Sequence, residues 1–275
     1  MNRRGARVAW AAGALFVVAY ALLPVAWLVS LSLKRGDDIH SRHFLPADRT
    51  LENFRAVFRT PLFTAALRNS IGISLISTVI SVGLAALAAY AIARLEFRGR
   101  RWVLGTALAV AMFPVVSIVG PLFDLWRTVG LYDTWPGLVI PYLSFTLPLS
   151  IWVLAAHFRQ LPWELEEAAR MDGATRWQAF RRVMVPLAAP GVATAAILTF
   201  LFAWNDFVFG ISLTSTDRAR NVPAALAFFT GASQFQDPAG PIAAAAVVVT
   251  VPVVALVLTF QRRIVAGLTS GAVKG

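Results

Sequence analysis

The densest group of ionisable side chains lies between Gln160 and Pro186, in the stretch QLPWELEEAARMDGATRWQAFRRVMVP. It holds four acidic and four basic residues, namely Glu164, Glu166, Glu167, Arg170, Asp172, Arg176, Arg181 and Arg182. Each charge placed in the core of a bilayer costs about 2.5 kcal/mol or more, so burying all of them would cost on the order of 20 kcal/mol. We therefore expect this polar stretch, which separates two very apolar runs, to lie in water at a membrane face.

Local signals within the stretch predict a helix, a turn and a second helix. Pro162 suits a first helical turn, and the glutamates that follow stabilise the positive end of the helix dipole. Asp172-Gly173 favours a left-handed C-cap. Thr175, with Gln178 three residues later, is typical of a capping box, and Pro186 is expected to close the segment.

Ala168 and Ala169 place small side chains on one side of the first predicted helix. On that side the groove of another protein could approach the helix backbone closely. This shape suggests a docking element. The alternative is an amphipathic helix that lies in the membrane interface and has no partner.

Residue types that support catalysis or metal binding are scarce elsewhere. The chain has no cysteine, and of its three histidines His157 lies far in sequence from His40 and His43, so no set of metal ligands is evident. A phosphate-binding loop requires Gly-x4-Gly-Lys-Ser/Thr, but the two lysines are Lys34 and Lys274, and neither lies in such a motif. We therefore expect no enzyme, no metal site and no nucleotide site in this chain.

Two further groups of polar residues fall inside apolar runs. Ser74 and Ser77 belong to a serine stripe at helical spacing, which could line a path for a hydroxyl-rich solute or serve close helix packing. Trp204, Asn205 and Asp206 place polar groups among aromatic side chains. An intramembrane carboxylate suggests a functional site, whereas the same residues at the outer interface would form an ordinary aromatic belt.

Composition places these residues in a multi-pass membrane protein. The chain has 275 residues, of which 58% are hydrophobic, and a mean hydropathy of +0.67. The net charge of +11 would suggest nucleic acid as the partner of a soluble protein. Here we attribute it to topology, because Lys and Arg accumulate beside spans on the cytoplasmic side, and we expect no nucleic-acid partner.

Apolar runs predict six spans, at residues 8–33, 69–93, 102–123, 134–158, 187–213 and 241–261. Six crossings place both termini on one side. On this assignment the inner segments hold 15 of the 25 Lys and Arg residues but only five of the 14 acidic ones. The charge bias predicts that both termini and the 160–186 stretch face the cytoplasm.

The spacing of residues in this stretch resembles a known loop. The pattern reads Glu167-Ala168-Ala169, then three residues, Gly173, nine residues and Val183-x-Val185-Pro186. It resembles the EAA loop of binding-protein-dependent ABC importer permeases. The usual ending is Ile-x-Leu-Pro, so the two valines are conservative departures. The resemblance implies that a coupling helix inserts into a cleft on an ATP-hydrolysing subunit. It assigns ATPase coupling to Glu167, Ala168, Ala169, Asp172, Gly173, Ala174 and Arg176.

The resemblance extends over nearly the whole chain. The AWND stretch and the C-terminal QRRIVAGLTSGAVKG are similar to the second permease of maltose-type carbohydrate importers, most of all in trehalose importers. This likeness implies a bacterial inner-membrane protein that forms a heterodimer with a related permease, in contact with membrane lipid. Two ATPase subunits, which use ATP and Mg²⁺, and an extracytoplasmic sugar-binding protein complete the implied assembly. In maltose-type relatives the C-terminal tail also reaches the ATPase, which suggests the same for Gly271 to Gly275.

The predicted fold is therefore an all-α multi-pass membrane protein with six transmembrane helices and a cytoplasmic coupling-helix loop between helices 4 and 5. We divide it into a first helix with an external segment (1–66), a transmembrane core (67–262) and a cytoplasmic tail (263–275). An ion-coupled secondary carrier is the alternative. It is disfavoured because the inner parts of the six predicted spans lack Asp, Glu, Lys and Arg.

Overall fold

The computed structural model describes residues 3–229 and 238–269, which form helices and connecting turns without a β-strand in either range. The α-helices are α1 Arg3–Ser32, α2 Glu52–Arg59, α3 Pro61–Arg94, α4 Arg100–Ala111, α5 Val115–Val129, α6 Trp135–Gln160, α7 Glu164–Met171, α8 Arg176–Ala179, α9 Val185–Leu187, α10 Ala189–Trp204, α11 Val208–Leu213, α12 Val222–Ala227 and α13 Ala239–Thr269. A 3₁₀ turn, Gly36–His40, precedes α2, and a π-helical turn, Phe180–Met184, joins α8 to α9. The all-α prediction is confirmed.

Four helical segments are long and apolar enough to cross a membrane: Trp10–Ser32, Pro61–Arg94, Trp135–Gln160 and Ala239–Phe260. Two bent pairs of helices reach span length only when each pair is taken together. By length and composition, the described residues therefore supply four spans, or up to six.

The predicted third span, 102–123, is divided between two helices at one of the prolines that interrupt it. Helix α4 ends at Ala111 and α5 begins at Val115, and the two are bent by 86°. Pro114 explains the break, because its ring disfavours helical geometry at the preceding residue and it has no N–H to continue the ladder.

The predicted fifth span, 187–213, is also divided rather than continuous. Helix α10 ends at Trp204, and a short break precedes α11. At the other end, helical backbone continues through Pro186 to Leu187, and the chain bends by 75° between Leu187 and Ala189. Pro186 therefore does not close the segment. Pro186 comes two residues after the wide π turn, and its nitrogen has no hydrogen to donate to the helix.

Met1–Thr64 and Leu226–Pro252 form one compact unit. Lys34, at the end of α1, is fully buried and donates to the carbonyls of Ser41 and His43 at 3.0 and 2.7 Å. Asn53, on α2, donates to the carbonyls of Ser32 and Lys34 at 2.9 and 2.8 Å. These bonds tie the segment after α1 to α2, where the sequence predicts an external amphipathic segment.

Ala65–Ala225 and Val253–Gly275 form the second unit, which contains both groups of candidate functional residues. Its larger hydrophobic cluster joins the C-terminal half of α3 to α6, α10 and the π turn. Helices α6 and α10 approach closely at Gly191 because this residue has no side chain. A Cβ there would fall 2.4 Å from the His157 ring. The second cluster surrounds Tyr142 and connects α6 with α5, α11 and Ile73 of α3.

The domain boundaries set from the sequence at 66/67 and 262/263 fall inside α3 and α13. The C-terminal residues assigned to an ATPase contact, Gly271 to Gly275, lie outside the described residues. So do residues 230–237, which belong to the stretch between the fifth and sixth predicted spans.

Candidate functional site

The polar stretch after α6 folds as a helix, a turn and a second helix. The N–H of Asp172 donates to the carbonyl of Ala168, and that of Ala174 donates to the carbonyl of Ala169, both at 3.0 Å. Gly173 lies between them with φ +87°, the left-handed conformation that a glycine adopts without strain. The predicted C-cap is therefore present, and it turns the chain sharply between α7 and α8.

Helix α8 begins with the predicted capping box. The side chain of Thr175 accepts from the N–H of Gln178 at 3.2 Å, and the side chain of Gln178 accepts from the N–H of Thr175 at 2.8 Å. Both ends of the turn are thus fixed by local hydrogen bonds, which positions α7 and α8 as one preformed element.

The outer surface of this element mixes apolar, small and charged side chains. Met171, Trp177 and Leu165 are 89%, 58% and 40% exposed. Of the residues assigned to coupling, the exposed ones are Glu167, Ala168, Asp172, Gly173 and Arg176, and the half-buried ones are Ala169 and Ala174. Large exposed apolar side chains rimmed by charges are typical of protein interaction surfaces, so the structure brings the predicted coupling residues onto one accessible turn.

The inner side of α7 carries a single buried residue, Glu166. One carboxylate oxygen accepts from the Tyr90 hydroxyl at 2.6 Å, and the other lies 3.9 Å from Nε of Arg94. Arg94 also donates from Nη2 to the carbonyl of Leu161 at 2.7 Å, and its guanidinium lies 5.0 Å from the centre of the Trp163 ring. Two residues of α3 therefore attach both the start and the body of α7.

The second candidate group lies at the break between α10 and α11. Both carboxylate oxygens of Asp206 are used within the chain: Oδ2 accepts from the Tyr142 hydroxyl at 2.8 Å and from the N–H of Gly210 at 2.9 Å, and Oδ1 accepts from the N–H of Phe209 at 3.3 Å. The side chain of Asn221 donates to the Asp206 carbonyl at 2.6 Å. Asp206 therefore caps the first turn of α11 and ties it to α6.

Its neighbours differ in exposure. Trp204 is 2% exposed and stacks on Phe200, with ring centres 5.5 Å apart. Asn205 is exposed, and its side chain donates to the Leu201 carbonyl at 2.8 Å. Of these three residues, Asn205 is thus the one whose polar side chain is open to solvent in this conformation.

Ser74 and Ser77 are buried on α3, with exposed fractions of 1% and 0%. Neither hydroxyl has a hydrogen-bond partner among the described residues. Ile73, next to Ser74, packs in the same cluster as Tyr142 and Ala203. The predicted path residues of α3 and of the α10 end therefore border one hydrophobic cluster.

Sequence reasoning missed the residues that hold these groups in place. Tyr142 and Asn221 lie 64 and 15 residues from Asp206, and Tyr90 lies 76 residues from Glu166. One local signal was available: Tyr90 and Arg94 are four residues apart at the end of an apolar run, so they share a helix face beside the polar stretch.

Comparisons with known proteins bear on the whole chain. Residues 81–270 match the family model described as "Binding-protein-dependent transport system inner membrane component". The chain is 59% identical to the trehalose transport system permease protein SugB of Mycobacterium tuberculosis over 273 residues, which cover 98% of this chain and 100% of that protein. It is 39% identical to the trehalose/maltose transport system permease protein MalG of Thermococcus litoralis, over 96% of this chain and 95% of that one.

A solved structure shares the fold. It is a chain of a bacterial ABC transporter involved in the import of the acidic polysaccharide alginate, with a TM-score of 0.76 and 24% identity, covering 95% of this chain and 98% of that one. These relatives are transport permeases rather than ion-coupled carriers, so the alternative of a secondary carrier is not supported. The extent of the family match and of the identities shows that this chain belongs to the inner membrane components of binding-protein-dependent transport systems.

Proposed function

We propose that this chain is the permease subunit of an ATP-driven carbohydrate importer and forms half of the sugar path, with trehalose as the substrate. The observation that carries the proposal is the 59% identity with a trehalose permease over its full length. The second relative is named for trehalose and maltose, which supports an α-linked disaccharide of the same class.

The element formed by α7, Gly173 and α8 is proposed to couple this permease to an ATPase. Its accessible turn carries Glu167, Ala168, Asp172 and Arg176, and the adjacent Met171 side chain is 89% exposed. An apolar side chain that protrudes from a rigid, charged turn is well suited to insertion into a cleft of a partner. Closure of that partner on ATP would push on this turn.

The proposed membrane topology has six spans with both termini in the cytoplasm. It takes each bent helix pair as one crossing in addition to the four long helices, and in the second pair α10 supplies the part within the membrane while α8 stays in the cytoplasm. The distribution of Lys and Arg along the sequence supports the cytoplasmic side for the coupling turn.

The path residues are assigned different roles. Asn205 is proposed to meet the sugar directly, because its side chain is open to solvent. Trp204 and Asp206 would shape the path by fixing the break that presents Asn205. Ser74 and Ser77 have hydroxyls without partners, which could bond to sugar hydroxyls when α3 separates from its neighbours.

The assembly proposed around this chain contains a related permease as its heterodimeric partner, two ATPase subunits and an extracytoplasmic sugar-binding protein. A solved transporter with the same fold includes such a periplasmic protein. ATP and Mg²⁺ would be bound by the ATPase subunits, and this chain would bind no cofactor itself.

Reconstitution tests the proposal. Proteoliposomes with the complete assembly are expected to take up labelled trehalose only when ATP and the binding protein are present, whereas the purified chain alone is expected to hydrolyse no ATP. ATP turnover by this chain alone would contradict the division of labour. Uptake that needs no ATP and collapses with a protonophore would contradict the proposed energy source.

A further inference from the structure

We propose that Tyr90, Arg94 and Glu166 form a joint that fixes α7 to the C-terminal end of α3, so that the two helices move as one body during transport. The inference rests on the coupling role proposed above for α7. It concerns how force applied to the turn enters the membrane-spanning part of the chain.

The joint is built on a carboxylate that is 6% exposed. A buried charge is stable only when it is paired and hydrogen-bonded. Glu166 receives a hydrogen bond from Tyr90 at 2.6 Å and faces the guanidinium of Arg94 at 3.9 Å. Both partners belong to α3, so moving α7 away from α3 would leave this carboxylate buried and unpaired.

Arg94 makes the attachment wider than a single contact. Its Nη2 donates to the Leu161 carbonyl, just before α7, and its guanidinium lies over the Trp163 ring at the start of that helix. The Tyr90 ring also packs on Phe180 and Phe158, with ring centres 4.9 and 6.1 Å away. The end of α3 therefore contacts α6, the start of α7, the body of α7 and the π turn.

The ion pair is not fully closed. Within the part of the chain that the structure describes, Nε of Arg94 and Oε2 of Glu166 each lack a hydrogen-bond partner, although they lie 3.9 Å apart. Inward pressure on α7 would bring these two atoms within hydrogen-bonding distance, whereas outward movement would separate opposite charges in a buried place. The joint therefore resists separation more strongly than it resists compression.

The two sides of α7 thus have separate tasks. Glu167, Ala168 and Met171 are accessible to a partner, and Glu166 faces α3. Glu166, Tyr90 and Arg94 are positioning residues, which touch neither sugar nor nucleotide.

The absence of native cysteine allows a direct test with spin labels. Labels are attached at Arg170→Cys on α7 and Leu87→Cys on α3, since both side chains are exposed and neither residue is assigned to the ATPase contact. The distance between the two labels is measured by pulsed electron paramagnetic resonance in the assembled importer, with and without ATP. We expect one narrow distance that ATP does not change. Tyr90→Phe, which keeps the packed ring but removes the hydroxyl, and Glu166→Ala are expected to broaden the distribution.

Transport gives the second readout. Tyr90→Phe and Glu166→Ala are expected to retain the ATPase but to lower sugar uptake per ATP by about two- to thirty-fold, the range that loss of a coupling residue produces. The double variant should lose no more than Glu166→Ala alone, because both residues act through one joint. Glu164→Ala, an exposed glutamate on the same helix, is the matched control and should behave as the parent protein.

Equal distance distributions and equal uptake per ATP in Tyr90→Phe, Glu166→Ala and Glu164→Ala would overturn the joint. So would an ATP-dependent change of the distance in the parent protein. If the proposed function were wrong, the parent protein would show no ATP-driven uptake, but the distances without nucleotide would still separate Tyr90→Phe from the control.

Discussion

Gly173→Asp is expected to leave the chain folded and inserted while it uncouples ATP hydrolysis from sugar uptake. Gly173 has φ +87°, and no atom lies within 4 Å of the position where a Cβ would stand. Strain from the left-handed backbone is therefore about 1 kcal/mol and there is no internal clash. The new carboxylate instead crowds the exposed turn, so uptake per ATP should fall about 5- to 150-fold, the range of ordinary coupling energies.

Gly130→Asp is the matched control. Gly130 follows the C-terminus of α5 with φ +76°, and its Cβ position is also empty. The two variants thus carry the same backbone strain at helix ends, but only one lies in the coupling turn. Uptake and ATP hydrolysis are measured in parallel in proteoliposomes. Normal uptake by Gly173→Asp would count decisively against the docking role of this turn.

Asp206→Ala is expected to destabilise the chain more than it alters sugar preference. The substitution leaves the Tyr142 hydroxyl and the N–H of Gly210 without their acceptor, and each unsatisfied buried group costs about 1 to 3 kcal/mol. The combined loss of about 2 to 6 kcal/mol should appear as a lower apparent Tm of the purified permease. The first turn of α11 also loses its cap, so the path beside Asn205 should become less defined.

Asp124→Ala removes a carboxylate of the same size from an exposed position on α5 and serves as the control. Its apparent Tm should match that of the parent protein. An Asp206→Ala variant with unchanged Tm but altered sugar preference would show instead that the carboxylate contacts the substrate. Asn205→Ala is expected to give that second result, because its side chain is exposed.

Local signals allowed much of the coupling turn to be predicted. The left-handed cap at Gly173 and the capping box of Thr175 each depend on residues within a few positions in sequence, and both are present. The bounds of α6 were close for the same reason, since the Thr134 side chain caps its first turn by accepting from the N–H of Gly137. These features follow from side-chain chemistry along one helix.

Pro114 is a local signal for the break in 102–123, but the break after Trp204 and the long-range partners were not predictable in this way. A hydropathy window sees 187–213 as one continuous apolar run, because it does not register how neighbouring helices satisfy the backbone at a break. At the break after Trp204 the acceptor is Asp206 and its partner is Tyr142, which is 64 residues away in sequence. Helix α7 carries three glutamates in its first turn, and Glu166 is the one that is buried. Its burial likewise depends on Tyr90, a residue of another helix.

The most direct test of the proposed coupling role is to determine on which side of the membrane α7 lies. Met171→Cys places the only thiol of the chain on a side chain position that is 89% exposed. In vesicles that carry this chain without the ATPase subunits, a membrane-impermeant thiol reagent is expected to label it when the vesicles are inside-out and not when they are right-side-out. Phe44→Cys, in the predicted external segment, should show the opposite pattern. Labelling of residue 171 from the outside would contradict the proposal that this turn receives force from a cytoplasmic ATPase.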